Sequence, residues 1–289
     1  MEPILIVGIG VALLFNFLNG LHDAANSIST IVATRVLTPI QAVGLAAFFN
    51  LVGPLFFTTA IAKTIGKGII VPGWLTIEVI IIGILVASFW IYFTAYVGVP
   101  ISSTHAMVGG LVGSAVAFGG LSVIVFPSLQ IIGDLILYGI GGAFIGMLLL
   151  LFLARHFHEE DLRLYAIIGA YFGFIITIPL CIALHILPIS GLLGIILFIV
   201  ISPSLGFALA FIFGCLTIRL CRNKEQKKMN YFFNKLQILS ASFYSIGHGS
   251  NDAQHAMGII TATLMTAGVI SDFSVPLWVI LISSAAISL

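Results

Sequence analysis

The chain has 289 residues, of which 60% are hydrophobic and only 7% charged, with a mean hydropathy of +1.22 and a formal net charge of +1. Ordinary soluble domains carry about 25% charged residues, so the composition excludes a soluble globular domain and defines an integral membrane protein. A near-neutral chain with no basic and aromatic patch also argues against a nucleic-acid partner, and the expected address is a plasma membrane or a bacterial inner membrane.

The first apolar run, about 4–18, follows Met1-Glu2-Pro3, and without a positive n-region it reads as a retained span, not a cleaved signal. Further apolar segments follow at about 37–62, 69–97, 107–126, 129–154, 164–187, 189–218, 236–247, 256–270 and 275–289. Several reach the roughly 20 residues that cross a bilayer as a helix, and period-2 alternation is too weak for a barrel. The class is therefore all-α and polytopic. Cys181, Cys215 and Cys221 lie in or beside apolar segments without metal-type spacing, which suits packing and implies no disulfide framework. Glu78 and Asp134 fall near segment starts, where an acid complements the helix dipole. Two polar stretches divide the pattern. Arg155–Arg163 is mixed in sign, whereas Arg219–Lys235 carries six basic residues against Glu225 and is expected to face the cytoplasm. The organisation expected is an N-terminal membrane half over 1–218, a basic cytoplasmic loop over 219–235, and a second set of helices over 236–289.

Inside this oily chain lie two related polar knots, Asn19-Gly20-Leu21-His22-Asp23-Ala24-Ala25-Asn26-Ser27 and His248-Gly249-Ser250-Asn251-Asp252-Ala253-Gln254-His255-Ala256. Gly matches Gly, Asp matches Asp and Ala24 matches Ala253 at a constant offset of 229 residues (252 minus 23). An ionised carboxylate in hydrocarbon is costly enough that intramembrane acids mark function, and the duplication makes Asp23 and Asp252 two halves of one polar site. The apolar runs before Asn19-Gly20 and His248-Gly249 are short, so each helix is expected to break at its knot. Such interruptions at matching points are the mark of a transporter built from repeats, with its site near the midplane. A helix restarting at Asp23 would put Asn26, Ser27 and Thr30 on the same side.

Between the knots stands Gly98-Val99-Pro100-Ile101-Ser102-Ser103-Thr104-His105, followed by a helix rich in small residues from Met107 to Phe118. Gly and Pro end the preceding helix, hydroxyls occupy N-cap positions, and Gly109, Gly110 and Gly113 permit close packing. This predicts a re-entrant hairpin. Free N–H groups, the positive end of a helix dipole and three hydroxyls together make a seat for an anion.

Taken together, Gly20-Leu-His-Asp23-Ala-Ala-Asn26, Pro100-Ile-Ser-Ser-Thr-His105 and Gly247-His-Gly-Ser-Asn251-Asp252-Ala resemble the inorganic phosphate transporter family of cation-coupled symporters with inverted repeats. The resemblance covers about 10–265. It implies that Asp23, Asn26, Asn251 and Asp252 form the substrate and cation site and that Ser102, Ser103 and Thr104 contact phosphate; Asp23 and Asp252 are expected to hold Na⁺ or to carry protons. His22 and Ser103 depart from the residues usual in the family, Asn and Thr. The family repeats the hydroxyl hairpin in its second half. Ser102 follows Asp23 by 79 residues, so a counterpart spaced the same way from Asp252 falls near position 331, past Leu289. The second repeat is thus expected to be incomplete in this chain, through a shortened C-terminus or a different architecture there.

The expected activity is secondary active import of inorganic phosphate with Na⁺ or H⁺, without enzyme activity or cofactor, in contact with membrane lipid and compatible with a homo-oligomer. Two like unit charges 4 Å apart cost roughly 4 kcal/mol at an effective dielectric of 20, so positive passengers must accompany an oxyanion beside two aspartates. Oxygen ligands suit Na⁺, whereas His22, His248 and His255 offer proton carriers, and His105 is either structural or a carrier. A permease for sulfate or another oxyanion is the alternative within the class. An intramembrane metal-dependent hydrolase on His22, Asp23, His248 and His255 is the alternative outside it, and it lacks a motif such as His-Glu-x-x-His.

Overall fold

The computed structural model describes residues 3–57, 59–67, 69–71, 73–158, 160–189 and 191–289. Its elements are helical: α1 (Pro3–Ala33), α2 (Pro39–Val52), α3 (Ala60–Lys67), α4 (Ile77–Val97), α5 (Ser103–Gly119), α6 (Leu129–His156), α7 (Leu162–Ala183), α8 (Gly191–Cys221), α9 (Gln226–Thr266) and α10 (Leu277–Ser288). Among the described residues, α1, α4, α6, α7 and α8 are long and apolar enough to cross a membrane. The chain forms two compact units, one from the residues up to Val125 together with Lys224–Leu289, the other from Phe126–Asn223.

In the first unit α1 and α9 run antiparallel in contact. Gly8 lies against Thr263, Asn19 against Asp252 and Thr34 against Gln237, so numbers rise along one helix as they fall along the other. Both helices run unbroken through the polar knots, which corrects the breaks expected there. A single glycine costs a helix only about 1 kcal/mol, and tight packing at each knot outweighs it. A Cβ on Gly20 would meet the carbonyl carbon of Ile287 in α10 at 3.1 Å, and one on Gly249 would meet that of Asn50 in α2 at 2.8 Å. The two glycines bring backbones together; they do not open them.

The break falls elsewhere. Segment 37–62 is not one helix: α2, started by the Thr38/Gln41 capping box with Pro39 in its first turn, gives way at Gly53-Pro54 to a single 3₁₀ turn and then to the short α3. Pro54 has no N–H to continue the helical ladder and its ring crowds the carbonyl four residues back, while Gly53 allows close approach to α9, where a Cβ would sit 2.6 Å from the Ile246 carbonyl oxygen. Gln254 of α9 then accepts hydrogen bonds from the Ile61 and Ala62 amides, supplying partners for free N–H groups at the start of α3.

The hairpin is present. α4 starts at the Thr76 N-cap with Glu78 in its first turn and ends at Gly98, whose φ of 76° is the left-handed conformation that favours glycine. After Pro100, Ser102 caps α5 by accepting from the His105 amide. α5 returns antiparallel along α4, with Ser114 donating to the Val79 carbonyl and Gly110 against Gly83. At 1.5 Å per residue α5 is about 26 Å long, shorter than a hydrocarbon core of about 30 Å. Segment 69–97 begins as extended chain: Val71 and Val125 donate to the carbonyls of Val123 and Ile69 before α4 starts.

In the second unit α6 and α7 form an antiparallel pair on a glycine seam, a Cβ on Gly142 meeting the Gly173 carbonyl oxygen at 2.7 Å and one on Gly169 meeting the Gly146 carbonyl carbon at 2.9 Å. Small residues four apart are how membrane helices approach closely. Ile175, Ile178, Cys181, Leu187 and Ile201 make its core. Asp134 lies in the second turn of α6, partly buried, and Cys215 is exposed where Cys181 is packed. The basic stretch Arg219–Lys235 is mostly helical, α8 running to Cys221 and α9 starting at Gln226, so only a short turn remains of the expected loop.

Candidate functional site

α1, α9 and the start of α5 line an open cavity of about 450 Å³ bounded by Asp23, Ser102, Ser103, Thr104, Phe243, Tyr244, Gly247, His248, Asn251 and Asp252. Six of the seven residues singled out from sequence therefore share one wall system. Asn26 does not: its side chain is exposed and reaches the site only by donating to Asp23 Oδ1 at 3.3 Å. Thr30 is exposed as well.

At the centre stands His248, which sequence reasoning named only as a proton carrier or metal ligand. Its Nε2 lies 3.3 Å from Asp252 Oδ2 and 3.9 Å from Asp23 Oδ2. Its Nδ1 is 3.3 Å from Asn50 Oδ1, a contact that holds the ring from behind. Ligand atoms of Asp23, His248 and Asp252 all lie within 4.8 Å of one another, a grouping able to hold a cation. The four-residue hydrolase set does not assemble: His22 pairs with Asp23 Oδ1 at 3.0 Å, and His255 turns to Thr104.

Pseudo-symmetry explains why His248 is there. Asn19 and His248 are matched positions of the two knots, each four residues before its aspartate. Because α1 and α9 cross antiparallel, each meets the aspartate of the other knot, Asn19 Nδ2 donating to Asp252 Oδ2 at 3.1 Å while His248 approaches Asp23. The packing outside the crossing repeats the exchange, since Gly20 of α1 rests on α10 and Gly249 of α9 rests on α2. Asn16 and Asn19 are fully buried in α1, and Asn16 donates to the Ser283 carbonyl of α10 at 2.7 Å. The signal for Asn19 and His248 was in the alignment of the knots, but the expectation of a helix break hid it.

The hydroxyl cluster is less uniform than three equal donors. Ser103 is buried and donates to Asp23 Oδ2 at 3.3 Å, so its hydrogen is committed to the acid. Ser102 accepts the His105 amide and keeps its own hydrogen. Thr104 Oγ1 lies 3.2 Å from His255 Nε2. The His105 side chain is exposed.

A bundle of apolar helices that places two acids opposite a helix N-terminus defines a polytopic membrane protein with a polar site between its helices. Comparison with known proteins gives the family: residues 19–165 and 217–289 match the phosphate transporter family, and the chain belongs to it. It is 38% identical over 288 residues to the probable low-affinity inorganic phosphate transporter of Rhizobium meliloti, spanning 99% of this chain and 67% of that protein. It is 32% identical to the protein of the same name in Bacillus subtilis, over 93% of this chain and 62% of that protein. For the one in Mycobacterium tuberculosis H37Rv the identity is 29%, over 99% of this chain and 54% of that protein. The chain thus spans from about half to two thirds of the length of these curated relatives. A solved structure described as the sodium-dependent phosphate transporter shares the fold at a TM-score of 0.61 and 21% identity, over 99% of this chain and 74% of that one. Family and fold make this a multi-pass membrane protein of the plasma or inner membrane, belonging to a family of transporters.

Proposed function

We propose that this chain imports inorganic phosphate through the α1/α5/α9 cavity, coupled to Na⁺ or H⁺. The observation that carries the reading is the facing of two unlike walls across one cavity: the N-terminus of α5 with Ser102 and Thr104 on one side, Asp23, His248 and Asp252 on the other. Backbone N–H groups and hydroxyls suit an oxyanion, and paired carboxylates with an imidazole nitrogen suit its positive companion. α9 and α10 read as the opening of a second repeat equivalent to α1 and α2, since each repeat's glycine packs on the other's following helix.

Coupling follows from charge. Moving one negative charge inward against 100 mV costs about 2.3 kcal/mol, so a phosphate dianion needs more than two positive companions before the voltage assists. Carboxylate and hydroxyl oxygens favour Na⁺, the ion in the name of the solved relative. His248 beside both acids favours H⁺, because an imidazole can itself take up and release a proton there. Uptake of radiolabelled phosphate into proteoliposomes, with Na⁺ and pH gradients imposed separately, separates the two. Accumulation driven by neither gradient refutes coupled transport, and sulfate that competes as well as phosphate changes the cargo.

A further inference from the structure

His255 sits one helical turn beyond Asp252 on α9, 3% exposed, its Nε2 at 3.2 Å from Thr104 Oγ1. Its other ring nitrogen, Nδ1, is buried with no hydrogen-bond partner among the described residues. Nothing in the transport reading above uses this histidine. Its unequal partnering nevertheless determines where a hydrogen sits. A hydrogen on Nδ1 alone would leave a buried N–H donor unpaired, which native structures avoid more strictly than an unpaired acceptor, whereas a hydrogen on Nε2 has Thr104 Oγ1 to receive it. A doubly protonated ring carries a hydrogen on Nε2 too.

Resting on the proposed phosphate site, we infer that His255 is a positioning residue that donates from Nε2 to Thr104 Oγ1 and so turns the single hydroxyl hydrogen of Thr104 into the cavity, toward the oxyanion. A threonine hydroxyl has one hydrogen and accepts through its lone pairs. Once Oγ1 accepts from His255, that hydrogen is free to point at the ligand. Without the histidine, Thr104 is free to turn its lone pairs toward an anion it would then repel. Ser103 spends its hydrogen on Asp23 and Ser102 keeps its own, so the wall presents two aimed O–H donors, Ser102 and Thr104, and His255 sets the second.

Two measurements on the full chain test this. In phosphate uptake, His255→Leu raises KM about tenfold, the loss expected for one hydrogen bond of ordinary strength, with little change in Vmax. His255→Gln, which keeps an N–H donor at similar reach, restores most of it. In a Thr104→Val background His255→Leu adds no further loss, because its target is gone; an undiminished effect there, or a normal KM for His255→Leu alone, overturns the inference. The second measurement needs no transport. Imidazole ¹⁵N spectra of histidine-labelled protein, assigned by loss of one signal in His255→Gln, show a hydrogen on Nε2 of His255; a hydrogen on Nδ1 alone overturns the inference. If the wild-type chain neither binds nor moves phosphate, the transport reading fails by itself, and the ¹⁵N result alone decides His255.

Discussion

Two antiparallel helix crossings, α1 with α9 and α6 with α7, use glycine in opposite ways. At α6/α7 the glycines are the contact: Gly142, Gly146, Gly169 and Gly173 lie in the seam and the backbones touch. At α1/α9 the knot glycines lie on outer faces, pulling α10 against Gly20 and α2 against Gly249, while the face between the helices carries Asn19, Asp23, His248 and Asp252. Flanking helices held that close shield the polar stripe from lipid, where unpaired polar groups cost several kcal/mol each. The same residue type thus builds a backbone-to-backbone seam in one unit and braces the walls of a polar cavity in the other.

The largest expected effect breaks the comparison at its charged end. Asp23→Asn or Asp252→Asn removes a carboxylate of the proposed coupling site, and gradient-driven phosphate uptake is expected to fall by at least about thirtyfold, in line with the 2–5 kcal/mol lost when one partner of a buried charged set is removed. Retention of wild-type accumulation by either variant ends the assignment of the acids. Substitution of a seam glycine in α6/α7 has no such specific effect on coupling.

Next comes the packing itself. Gly249→Leu and Gly146→Leu both force side chains into backbone, at Asn50 and at Gly169 and Gly173 respectively, and each is expected to cost about 1–3 kcal/mol of stability. Gly10→Ala, where an added Cβ meets nothing within 4 Å, is the control: it does not lower the melting temperature in detergent and raises it by the equivalent of at most about 1 kcal/mol, the helix preference for alanine. Equal melting temperatures for Gly249→Leu and Gly10→Ala would show that α2 does not bear on α9 as described. Smaller again is Ser102→Ala, which removes one O–H donor from the anion wall and raises the KM for phosphate roughly tenfold without lowering Vmax in proportion. A matched fall in Vmax with constant KM would place Ser102 outside the ground-state binding site.

Much of this was legible in the sequence for physical reasons that also explain the misses. Hydrophobic run length marks membrane helices because the bilayer sets a length, and duplicated acids in a Gly context mark the site because burying them is costly. Gly-Val-Pro-Ile-Ser-Ser-Thr places a helix end at Val97 and a helix start at Ser103, with five residues between them and little ambiguity. The continuity of α1 and α9 was not legible, since glycine signals both a break and a close contact, and only the neighbour, Ile287 or Asn50, decides which. His248 facing Asp23 was hidden for a related reason: the partner of each knot residue depends on where two helices cross, and that lies in neither helix alone. The division at Gly53-Pro54 was the reverse case, a Pro signal overlooked inside an apolar run.

The smallest effect sharpens the comparison from the apolar unit. Tyr171 of α7 and Ser204 of α8 share a hydrogen bond, and Ser204 Oγ also donates to the Val200 carbonyl within its own helix at 2.7 Å. Inter-helix hydrogen bonds in membranes average only about 0.6 kcal/mol, and Ser204 keeps a partner when the phenol is lost. Tyr171→Phe is therefore expected to lower stability by at most about 1 kcal/mol and to leave phosphate KM and Vmax at wild-type values. The glycine seam and the Ile175/Ile178/Ile201 core hold this unit together without the phenol. A Tyr171→Phe chain that melts normally yet loses uptake would give the second unit a part in transport that its apolar packing does not account for.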